Sequence, residues 1–168
     1  MSARERPIRW HRALPIAAGL ALILGVPACD GAANGSSIEP GVGVTSNGLS
    51  IRIGDLRADT ARRLGPPSSA RDLGGVGVLL SYPDRHLSLL ASGDQDASPV
   101  TAIYLATGFE GRTASGVGPG SSRADVTAEF QSPGVDPFLG TWRFPASGIA
   151  FDWDGDAAGA ITLSRPGT

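Results

Sequence analysis

The chain has 168 residues, room for one ordinary domain or two very small ones. Its formal charge is −2 and all 14 basic residues are Arg; from Cys29 onward ten Arg face fifteen Asp plus Glu, a side-chain charge of −5. So acidic a body is a poor electrostatic match for nucleic-acid phosphates, and a single Cys excludes an intrachain disulfide.

The amino terminus carries Arg4, Arg6, Arg9 and Arg12 against one acid, Glu5. An uncharged apolar run from Ala13 to Leu24 follows. As helix these residues would span roughly 18 Å, short of the roughly 30 Å hydrocarbon core of a bilayer. A positive start, a short apolar middle and small residues after it are the three parts of a secretory signal peptide. Val26-Pro27-Ala28-Cys29 then resembles a lipobox, the motif of bacterial lipoprotein precursors. The resemblance implies a thioether-linked diacylglycerol on Cys29, cleavage between Ala28 and Cys29, and a body held on the extracytoplasmic side of the cell membrane or the outer membrane. An ordinary signal peptide with an incidental Cys and an uncleaved anchor are the alternatives. Residues 29–48 are small, polar and Gly-rich without a period of 2 or 3.6, which predicts a lipidated, flexible tether after a signal peptide of residues 1–28.

Beyond the tether the chain repeats itself. Gly54-Asp55-Leu56-Arg57-Ala58-Asp59 aligns with Gly120-Ser121-Ser122-Arg123-Ala124-Asp125, an offset of 66. Tyr82-Pro83 aligns with Phe144-Pro145, and Ala102-Ile103 with Ala160-Ile161, where the offset has fallen to 58. The first block of each copy reads as a helix of about ten residues, with Asp55 or Ser121 able to cap its start and Asp59 or Asp125 favoured by the helix dipole. Leu56, Thr60, Ala61 and Leu64 form one apolar stripe, and Ala124, Thr127 and Phe130 its counterpart. Gly65 suits a C-terminal cap, and Pro66 and Pro67 stop the helix. The segments 76–82, 86–91 and 101–107, then 138–144, 148–153 and 159–164, are short, turn-bounded and rich in aliphatic or aromatic residues, and they predict antiparallel strands. The expected fold class is therefore α+β: two tandem units, 49–115 and 116–168, each a short helix packed on a three-stranded antiparallel meander.

This helix-then-meander pattern, from Ile51 to Arg165 in two copies, resembles a domain found in two families. One comprises the small lipoproteins of the outer-membrane-protein assembly machine, the other the tandem-repeat β-lactamase-inhibitor proteins. Both bind other proteins and have no active site. The resemblance implies a non-enzymatic binding or scaffold role toward another envelope protein, with no cofactor.

The residues themselves offer little catalytic chemistry. His86 is the one His beyond the amino terminus and sits in a turn, and no Ser lies in a Gly-x-Ser-x-Gly elbow. Asp152, Asp154 and Asp156 resemble the start of a calcium loop, yet Ala157 and Leu163 stand where that loop needs Gly and Glu. Asp154-Gly155 fits a hairpin turn instead. The Gly116–Gly120 stretch lacks the Lys and Ser/Thr of a phosphate loop, leaving at most a simple anion contact before the second helix. Trp142, Phe144, Phe151 and Trp153 cluster in the second copy as candidate core. The expectation is a lipid-anchored binding protein. The rivals are an envelope hydrolase using carboxylates such as Asp152 and Asp154, and a weak cation sensor at Asp152, Asp154 and Asp156.

Overall fold

A computed structural model describes residues 35–136 and 138–167. Ala28, Cys29 and the apolar run before them lie outside the described residues. Among the described residues no helix is long and apolar enough to cross a membrane.

The described chain begins with β1 (Ser37–Glu39), β2 (Gly43–Ser46) and β3 (Leu49–Arg52), a three-stranded antiparallel sheet. This corrects the tether, which was expected to run to residue 48. Ile38, Val44 and Ile51 are 4%, 3% and 0% exposed, so the Gly-rich segment supplies core. Its glycines permit close packing rather than looseness: a Cβ on Gly43 would stand 2.1 Å from the Ile51 carbonyl oxygen.

Helix α1 (Arg57–Leu64) leads into β4 (Ser69–Asp72), β5 (Val78–Tyr82), β6 (Leu87–Ala91) and β7 (Val100–Leu105). Helix α2 (Arg123–Phe130) leads into β8 (Gly134–Val135), β9 (Trp142–Phe144), β10 (Ile149–Asp154) and β11 (Ala157–Ser164). These eight strands form one antiparallel sheet in the order β4-β5-β6-β7-β11-β10-β9-β8.

The expected fold class is therefore overturned. The described residues hold two helices and eleven strands, and the protein is mostly β rather than two separate helix-on-meander units. The physical reason is the join between β7 and β11. Each was expected to end its own meander, but Ile103 pairs with Leu163 and Leu105 with Ile161 across the middle of the sheet. Two apolar strands with free edges are more stable paired than exposed. The sheet also gains β4 and β8 at its margins. Their sequences, Ser-Ala-Arg-Asp and Gly-Val, are too polar or too short to announce a strand.

Strand alternation sorts the sheet into two faces. On the inner face one row runs Tyr82, Leu87, Leu105, Ile161, Phe151, Trp142 and a second runs Leu80, Leu89, Ile103, Leu163, Ile149, Phe144. Apart from Trp142, every one of these is 5% exposed or less. Thr60 and Leu64 of α1, Val126 and Phe130 of α2, and Ile38, Val44 and Ile51 of the small sheet cover them. Each large aliphatic side chain buried here contributes about 1.5–3 kcal/mol.

Both helix starts differ from the sequence reading by one residue. The N-cap of α1 is Leu56, with no side-chain bond, while Asp55 accepts from the Arg52 amide and the Arg63 guanidinium. The N-cap of α2 is Ser122, in a reciprocal capping box with Asp125, and Ser121 is buried. The stripe of α2 shifts accordingly: Val126 is 0% exposed, whereas Ala124 and Thr127 face solvent.

Candidate functional site

Because α1, α2 and the small sheet all pack on one face, no element among the described residues covers the other face of the large sheet. Strand register places Ser69, Ser81, Ser88, Tyr104, Thr162, Ala150 and Arg143 in a row across seven strands of that face. All are half-buried or exposed. A second row, Leu79, Leu90, Ala102 and Ser164, flanks it. The surface is built of small hydroxyl and methyl groups around one aromatic, Tyr104, which is 37% exposed and stands near the centre.

Two hollows lie either side of Tyr104. One, of about 420 Å³, is bounded by Leu139, Thr141, Arg143, Ala150, Asp152 and Thr162. The other, of about 520 Å³, is bounded by Ser69, Ser81, Pro83, Ser88, Ala106 and Ala160. Tyr104 lines both. The face therefore offers a polar-rimmed ridge between two shallow recesses, with hydroxyl donors and acceptors on one side and a guanidinium on the other.

The turn after β8 borders this face. Asp136 Oδ1 accepts from the Phe138 and Leu139 amides, both at 3.0 Å, and Arg143 approaches Oδ2 at 3.4 Å. The Leu139 and Phe138 amides, ahead of the Arg143 charge, hold the Asp136 carboxyl below its ordinary value of 3.8.

The aromatic cluster expected as core in the second copy lies on the covered side. Phe130 lies 5.2 Å from Phe144 and 5.7 Å from Phe151, ring centre to ring centre. Trp142 and Trp153 meet edge to face at 4.9 Å, and the Arg123 guanidinium sits over both rings at 5.0 and 4.5 Å. Arg123 thereby closes the end of the core, and Trp153 Nε1 is buried there without a protein hydrogen-bond partner.

The residues weighed for other chemistry do not converge. Asp152 accepts from Thr141 Oγ1 at 2.5 Å; Asp156 lies 3.6 Å from Arg123; and Gly155-Asp156 form the two-residue hairpin turn between Asp154 and Ala157. Among the described residues no group of three His, Cys, Asp or Glu is placed to hold a metal ion. His86 is exposed in a left-handed conformation ending the turn Pro83–Arg85, with its ring against Gly108. The amides of the loop before α2 bond internally: Gly116 to the Thr113 carbonyl, Gly118 to Ser121 Oγ and Gly120 to the Ala158 carbonyl. That leaves little for an anion.

Sequence reasoning did not find the row centred on Tyr104. In β7 the alternation Val-Thr-Ala-Ile-Tyr-Leu separates Tyr104 from Ile103 and Leu105, which is a usable signal. Which strands stand beside it depends on long-range register, which no local pattern carries. Compared with protein-family models, with curated proteins and with solved structures, the chain matches none.

Proposed function

We propose that this chain is a non-enzymatic binding module of the bacterial cell envelope, held at a membrane by lipid on Cys29, that docks a protein partner on the open face of the large sheet. The observation that carries the reading is the Ser81–Ser88–Tyr104–Thr162–Ala150–Arg143 row, uncovered among the described residues while the other sheet face is packed. Small side chains let a partner approach the backbone plane, Tyr104 supplies an amphipathic anchor, and Arg143 supplies charge selection. The hydrolase reading has less support: Asp152 is engaged by Thr141, and Asp125 and Asp136 are held as carboxylates by hydrogen bonds, the opposite of what a general acid needs.

The test is a photo-crosslinking residue at Ser88 in the full chain, expressed in a Gram-negative envelope. A discrete protein adduct is expected. It should vanish when Thr162→Arg is added in the same row and persist when Arg62→Glu is added on α1, which covers the opposite face. An adduct indifferent to Thr162→Arg would place binding elsewhere.

A further inference from the structure

We infer that Phe138 and Leu139 are seated in the membrane interface, as a second contact beside the lipid on Cys29; this rests on the anchoring reading above. Phe138 is 95% exposed and Leu139 74%, and Val135 beside them is 56% exposed. Adjacent large apolar side chains this exposed mark an interaction site rather than chance surface. Their backbone is hydrogen-bonded. Besides the two bonds to Asp136 Oδ1, the Asp136 amide donates to the Thr141 carbonyl and the Gly140 amide to the Asp136 carbonyl, both at 2.9 Å. Apolar side chains whose own backbone is already hydrogen-bonded lose less entropy on burial.

The topology identifies what it meets. The row Leu87, Leu105, Ile161, Phe151, Trp142, Val135 shows that residues just before β6 and β9 and just after β7 and β8 all leave the sheet at the same end. The Phe138–Leu139 turn is at that end. So is the point where the described chain begins: Ser36 lines a hollow with His86, Gly108 and Glu110. From β7 to β9 is three strand spacings, about 14 Å. Cys29 lies eight residue steps before Ser37, a reach of at most about 29 Å. The anchor therefore leaves the fold at the end that carries the apolar turn, and is too short to hold that end far from the bilayer. Charge narrows the surface further. Asp84, Glu110, Asp136, Asp152, Asp154 and Asp156 outnumber Arg85, Arg112, Arg123 and Arg143 at this end, which suits zwitterionic headgroups better than anionic ones.

The test uses the full lipidated chain in phosphatidylcholine vesicles. With the Cys29 sulfur in a thioether, Leu139→Cys gives one free thiol for a polarity-sensitive dye. Val76→Cys, 63% exposed and at the opposite end of the sheet, is the control. The dye at 139 is expected to shift to the blue and to be quenched by a lipid-borne quencher at a depth of about 5–10 Å. The dye at 76 should do neither, and adding anionic lipid should weaken the signal at 139. A lipidated protein whose 139 dye stays in water overturns this inference alone. Quenching in native membranes but not in protein-free vesicles overturns it in favour of a protein partner. Intact mass reads the anchor separately, and a chain without lipid overturns both.

Discussion

Phe151→Ala tests the inner face of the sheet most directly. Phe151 is fully buried on β10, between β9 and β11, and its ring contacts those of Phe130, Phe144 and Trp153. Truncating a buried Phe costs about 3–5 kcal/mol, and the upper half applies where the surroundings cannot close the void. Here the backbone is paired on both sides, so about 4–5 kcal/mol is expected. With a urea slope of about 1–3 kcal/mol per molar, the midpoint should fall by roughly 2 M. Trp142 and Trp153 adjoin the site and report unfolding by fluorescence. Phe138→Ala makes the same chemical change at 95% exposure and should shift stability by less than about 0.5 kcal/mol. Equal shifts for the two variants would refute the register, because a slip of one residue exchanges the faces of β10.

Three further outcomes follow from the geometry. Ser122→Ala removes the capping box of α2 and should cost about 1 kcal/mol in a denaturation experiment, whereas Ser121→Ala should be read as the loss of a buried hydroxyl that accepts from Gly118. Gly148→Ala should destabilise by more than about 1 kcal/mol, since φ is +61° and a Cβ would stand 2.3 Å from the Ser164 carbonyl oxygen; thermal melting checks it. Asp125 is held below 3.8 by the Ser122 hydroxyl and then the Ser122 amide, and Asp136 by the Leu139 and then the Phe138 amide. Their contribution is complete above the unfolded value and is lost as pH falls through the lower folded values, so melting temperature should decline with acidification below about pH 4 and do so less steeply in Asp136→Asn.

What the sequence showed and what it hid divide along one physical line. Two helices, three strands in each copy and a hairpin after Asp154 are legible because they are set by neighbours a few residues apart. The missing strands were invisible for different local reasons. In β1 and β2, Ile38 and Val44 are core residues dispersed among glycines that mimic a linker. In β4, Ser69–Asp72 is wholly exposed and has no apolar face to detect. The joined sheet was hidden because Ile103 and Leu163 are far apart in sequence and nothing in either strand names its partner. The caps slipped by one because Asp55 and Ser121 are good capping residues with other work: Asp55 binds Arg63, and Ser121 accepts from Gly118.

The hairpin at Ser37–Ser46 also changes how the proposed anchor would act. A tether extending to residue 48 would let the fold turn freely above a membrane. Starting β1 at Ser37 leaves seven residues between Cys29 and the first strand. The strands of the large sheet run toward and away from that exit point, so an anchor there would stand the sheet on end, with the Phe138–Leu139 turn downward. The row through Tyr104 would then face sideways, accessible to a partner on the same surface rather than pressed against lipid. Lengthening the connection with Gly and Ser ahead of Ser37 should therefore leave melting temperature unchanged. It should weaken any contact that depends on height above the bilayer, measured as loss of the Ser88 adduct. An adduct that survives a long insertion would show that the partner reaches the open face independently of the membrane.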